Sequence, residues 1–131
     1  AVPLRRNKLQ YHFRIDRAIP DFMKIIKPDL CVIEGFPGNQ GDETLSNPVD
    51  SDIVIAGRDP VAVDSVGCRC MGIDPEDVKH IQLMKKIEGN KETNYEIVGE
   101  NLDDIMREYK FKMPLRTKIR HFIEKINSYV F

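Results

Sequence analysis

Seven carboxylates stand between positions 34 and 64: Glu34, Asp42, Glu43, Asp50, Asp52, Asp59 and Asp64. Oxygen-rich sets of this kind suit hard divalent cations such as Mg²⁺ and Ca²⁺, or a cation held together with a phosphorylated ligand. Asp42, Glu43 and Asp64 are the candidate metal ligands. His12, Glu34, Gly38, Gly41, Arg58 and Asp59 are the candidates to surround a small molecule. The spacing matches no EF-hand loop. A phosphate cradle fits poorly as well, because no GK[ST] follows the glycines and acids occupy the place of an anion-binding helix N-terminus. Nothing supplies a Ser-His-Asp set or a cysteine with a placed base. Asp64, flanked by apolar residues in VAVDSVG, is the most informative polar residue. A carboxylate buried there needs a partner: Arg58, a backbone N–H or a metal. Asp59 already has a structural explanation as a helix cap, and an ordered but inert loop is the plain alternative to a site.

The elements that must position these groups begin with two apolar runs, residues 30–33 (LCVI) and 53–56 (IVIA). Near-continuous apolar runs of this length read as strands covered on both faces. Between them lies an acid-rich loop, 35–52, with glycines at 35, 38 and 41 and turn signals at Pro37-Gly38 and Asn47-Pro48. Ligands in open α/β sheets gather beyond the carboxyl ends of strands, where this loop would sit. Asp59 and Pro60 form an N-cap and first-turn pair that opens a helix through VAVDSVGCRCM, closed by Gly72.

On either side of this core, residues 18–26 form a helix with Ile19, Phe22, Met23 and Ile26 on one face and Pro20 in its first turn. An entry segment or edge strand is expected around residues 9–15. Asp74 and Pro75 open another helix, with Val78, Ile81 and Met84 as its stripe. His80, one turn after Glu76, reads as half of a surface pair. Residues 95–98 (YEIV) read as a third strand, and Asn101 caps a short helix. From residue 113 the chain is basic and amphipathic, with Leu115, Ile119, Phe122, Ile123, Ile126 and Val130 on one helical face. The expected fold is therefore α/β, a small, mainly parallel sheet of three to four strands with helices packed on it, in a single domain over 1–131.

Composition bounds the function classes. The chain has 131 residues with 41% hydrophobic and 31% charged content, ordinary for a globular domain. No apolar run approaches the length of a membrane span and no signal-peptide pattern opens the chain, so the expected location is cytoplasmic. Residues 1–27 carry seven Lys/Arg against two acids, and 107–131 the same, while 28–106 carry six against seventeen. An acidic centre between basic ends favours cations over bare nucleic acid or free phosphate at the central loop. Basic residues beside Tyr11, His12 and Phe13 are a weak nucleic-acid signal, and His12 itself reads first as a packed or surface histidine. Cys31, Cys68 and Cys70 include no CxxC pair, which points to inert thiols rather than a disulfide, zinc or iron–sulfur framework.

Four segments in order, KPDLCVIEG, DIVIAGRDPVAVDSVG, MGIDPEDVKHI and YEIVGENL, resemble the family called domain of unknown function 362, over residues 11–102. His12, in YHFRID, sits where such proteins place a histidine after a basic stretch. Members frequently accompany a ferredoxin-type iron–sulfur segment. This chain has no CxxCxxC run, so the resemblance implies a cluster only in a neighbouring segment. It also lacks the family's upstream part with a Lys-Asn motif and begins at Ala1, so the resemblance implies the C-terminal portion of a larger protein. The expected function is a ligand- or metal-binding domain of a redox-associated protein, with an acidic pocket at the 35–52 loop. The alternative is a non-catalytic module whose basic ends dock an acidic partner, nucleic acid or membrane.

Overall fold

A computed structural model of the chain describes residue 11 and residues 13–41, 47–87 and 95–110. The chain folds as helix α1 (Ile15–Ile25), strands β1 (Cys31–Gly35), β2 (Gly38–Asn39), β3 (Pro48–Val49) and β4 (Ile53–Gly57), helix α2 (Pro60–Cys70), a 3-10 turn (Pro75–Asp77), helix α3 (Lys79–Ile87) and the short helix α4 (Leu102–Ile105). The architecture is mixed α/β, but the sheet is not parallel. β1 pairs with β4 antiparallel, Cys31 opposite Gly57 and Gly35 opposite Ile53, and β2 pairs with β3 antiparallel inside the intervening loop. The physical reason lies in the connection. Parallel neighbours need a crossover that carries the chain back across the sheet, usually on a helix. The loop instead folds back on itself as a small hairpin, so the second apolar run returns alongside the first. Residues 95–98, expected as a third strand, join neither sheet.

Burial alternates along both long strands. Cys31, Ile33, Ile53 and Ile55 turn toward α2, while Val32 and Val54 remain 57% and 58% exposed. The runs that read as covered on both faces are thus covered on one. α2 is the hub. Val61, Ala62, Val63, Ser65, Val66, Gly67 and Cys70 are all buried in it, against the sheet on one side and α3 on the other. Val61, Ile81 and Met84 form the centre of the core, with Ile19 and Met23 of α1 and Val78 packed around them. An α-helix apolar nearly all round is a buried one.

Both ends of α2 are closed by the chemistry that the sequence announces. The Asp59 carboxylate accepts from the amides of Val61 (2.8 Å) and Ala62 (3.1 Å), with Pro60 at the first helical position. At the other end Gly72, at φ +71°, allows the Ile73 amide to reach the Cys68 carbonyl and its own amide to reach that of Arg69. This is a Schellman closure, for which glycine is the unstrained residue. The following residues stop twice: Asp74 caps a 3-10 turn, Val78 is extended, and α3 starts at Lys79 rather than at Asp74. α1 begins at Ile15, earlier than expected, which puts the buried Pro20 inside the helix and replaces an edge strand at Ile15 with helix. The amphipathic segment 113–131 lies outside the described residues.

A strap formed by residues 107–110 ties the far end of α2 to the loop. The Arg107 amide donates to the Cys70 carbonyl at 2.8 Å, that of Tyr109 to Met71 at 3.2 Å, and that of Lys110 to the Gln40 side chain at 2.9 Å. The Tyr109 hydroxyl meets Ser51 Oγ at 2.6 Å in a buried contact, with its ring against Gly38. A Cβ at position 38 would stand 2.9 Å from Tyr109 Cζ, so only glycine lets the ring pass. Gly38→Ala is therefore expected to cost about 1–3 kcal/mol in denaturant unfolding, as overpacking does. In a Tyr109→Ala background most of that cost should vanish, because the two residues share one contact.

Candidate functional site

The antiparallel register decides what the candidate residues can do together. In a parallel pair both carboxyl ends open on one edge of the sheet, which is what a single acidic mouth requires. Here Glu34 stands opposite Val54, while Arg58 and Asp59 follow Gly57 at the other end of the same strand pair. Five residues of extended chain separate the Glu34 level from Asp59, roughly 15 Å. Glu34 is exposed on the outer face of the sheet. Gly38 makes room for Tyr109, and Gly41, at φ +88°, takes a left-handed turn beside the strap. His12, Asp42 and Glu43 lie outside the described residues. Among the described residues no group of three His, Cys, Asp or Glu side chains is arranged to hold a metal ion.

Asp64 lies on the flank of α2 facing α3, and its partner is none of those expected. His80 Nε2 lies 3.9 Å from Asp64 Oδ2, joining the two helices. Glu76, the expected partner of His80, instead holds the Lys85 ammonium. Burial raises the Asp64 carboxyl above its ordinary value, and His80 opposes that rise. Cys31 and Cys68 share this environment. Burial raises both thiols first, and the Asp64 charge raises them further, with Asp59 adding to the effect at Cys31. Cys70 is raised by burial, against a backbone hydrogen bond, and is only 2% exposed. These are protonated, slow-reacting thiols rather than nucleophiles.

A cavity lies elsewhere, along β4. A groove of about 620 Å³ is lined by Ser51 through Asp59 on one side, by Ala62, Val63 and Val66 of α2 at its floor, and by residues 95–100 with Ile105 opposite. Its charged lining is Asp52, Arg58, Asp59, Glu96 and Glu100. Asp52 holds a left-handed backbone, φ 48°, just where the chain enters β4. Such angles are uncommon outside glycine, and Asp is among the residues that tolerate them. Of the sequence candidates among the described residues, Arg58 and Asp59 reach this groove. Sequence reasoning missed Glu96 and Glu100, because one lies within a run read as a strand and the other just after it. It paired His80 with Glu76, one turn away, whereas its partner Asp64 comes from another helix sixteen positions earlier.

Among the described residues these features define a small mixed α/β domain: two antiparallel two-stranded sheets and the helices α1 and α3 around the buried α2, with a groove along a sheet edge. The chain belongs to the family described as Domain of unknown function (DUF362), whose model matches residues 1–69. The match spans α1, both sheets and α2 as far as Arg69. His80 and the 95–100 wall of the groove lie beyond it. No curated protein sequence and no solved structure matches the chain.

Two outcomes follow from the Asp64 environment. A carboxyl raised on folding binds its proton more tightly in the folded state, so its contribution to stability is full below the ordinary value of 3.8 and is lost as pH rises through the raised folded value. Asp64→Asn should remove that decline, raising the melting temperature at pH 7 relative to pH 4 when each is compared with wild type. Alkylation by iodoacetamide should run slower at all three thiols than at free cysteine. Asp64→Asn should accelerate Cys31 and Cys68 and leave Cys70 unchanged, as read by mass spectrometry.

Proposed function

We propose that this is a ligand-binding domain whose site is the groove along β4, rather than a mouth at the 35–52 loop. The observation that carries the proposal is the groove itself. Its volume falls in the range of small-molecule sites, about 300–1,000 Å³, and it combines an apolar floor with a few charged groups at the rim. Four carboxylates stand against one guanidinium there, so the favoured ligand joins an apolar body to a positive charge. Part of the Asp59 carboxylate is committed to capping α2, which leaves Asp52, Glu96 and Glu100 as the groups freest to meet that charge. Service beside an iron–sulfur segment in a longer protein is the second part of the proposal, and it rests on the family resemblance alone.

The test is a titration of the ¹⁵N-labelled chain with phenethylammonium, a single positive charge on an apolar ring. Amide shifts concentrated at residues 53–59 and 95–100, and lost in Ala62→Leu, are the expected result. Shifts confined to other surfaces, or unchanged by filling the floor of the groove, would overturn it.

A further inference from the structure

The groove is not a round pocket; one whole side of it is a strand. Every residue from Ser51 to Asp59 lines it, and β4 pairs only with β1 among the described strands. Among the described residues the second edge of β4 therefore offers unpaired backbone amides and carbonyls to the groove, a ready template for another strand. Sheet edges are usually protected by lysines, prolines or bulges. The edge here is IVIAG, with none of these, and its ladder with β1 runs without interruption from Ile53 to Gly57. Across the groove, Ile97 and Val98 are exposed apolar side chains, 42% and 86%.

We infer that the groove takes an extended segment of a partner polypeptide, added to the β1–β4 sheet as a third strand alongside β4. This rests on the groove being the ligand site. Main-chain pairing would supply affinity, and alternate side chains would supply selectivity. Side chains turned toward Ala62, Val63 and Val66 must be small and apolar, because that floor is already closely packed. The rim selects for Lys or Arg at the remaining positions, where Asp52, Glu96 and Glu100 stand. The same charges disfavour a second copy of this chain paired edge to edge. Two β4 strands related by a twofold axis would bring two sets of these carboxylates together across one interface, and opposed like charges destabilise strand pairs.

The experiment uses the full chain and a fluorescein-labelled heptapeptide of alternating valine and Lys/Arg, followed by fluorescence anisotropy. Binding is expected, weakened by added salt and by at least tenfold in Glu96→Lys/Glu100→Lys. Both positions are exposed, and circular dichroism checks that the variant keeps its fold. Two N-methylated versions of the peptide, blocked on alternate edges, should differ, one binding and one not. Equal binding of both, or equal binding to the charge-reversed variant, overturns strand addition. So does concentration-dependent self-association by sedimentation in place of peptide binding. If phenethylammonium binds the groove and the peptide does not, strand addition fails and the groove site stands; if neither binds, both fail.

Discussion

The structure depends on burying one helix from several directions at once. α2 has Val63 and Gly67 against the sheet, Val61 in the core with α3, and Ala62 and Val66 at the floor of the groove. Gly67 stands where a Cβ would come within 3.0 Å of the Ile33 side chain, and Gly57 where one would come within 2.7 Å of Val63, so sheet and helix approach as closely as side chains allow. Each fully buried aliphatic side chain contributes roughly 1.5–3 kcal/mol. In a domain with a two-stranded principal sheet, this helix carries much of the apolar burial, since an isolated hairpin is at best marginally stable.

Because α2 is surrounded, its flanks become separate environments. One flank, at the β4 edge, opens into the groove with Asp59 at its head. The other faces α3 and holds Asp64 against His80, near Cys31 and Cys68. A helix turn of 100° per residue separates residues 59, 62, 63 and 66 from residues 64 and 68. Residues that cluster in sequence are thereby divided between opposite sides of a rod. The strap at 107–110 completes the frame, joining the closed end of α2 to Ser51 and to the hairpin within the loop.

Much of the local structure was legible. The Asp59-Pro60 start, the Gly72 stop, the Asn101 cap and the apolar strand pair at 30–34 and 53–57 all follow from short-range chemistry acting within a few residues, and all are present. Asp64 was legible as a carboxylate needing a partner. Which partner was not, since His80 comes from another helix sixteen positions later. The groove could not be read at all, because its opposite wall is a segment whose residues resemble a strand but form no ladder.

What the amino-acid order determined by itself was the set of elements and their ends: caps, breakers and apolar periodicity act locally, so they survive translation from chain to structure. The direction in which the second strand returns was left to the tertiary fold. An apolar run has no arrow, and the same IVIA can pair parallel or antiparallel with the same LCVI. Only the hairpin within the intervening loop, and the closure of both strands on α2, chose between them. That choice separated Glu34 from Asp59, left the far edge of β4 unpaired among the described residues, and put the candidate site there.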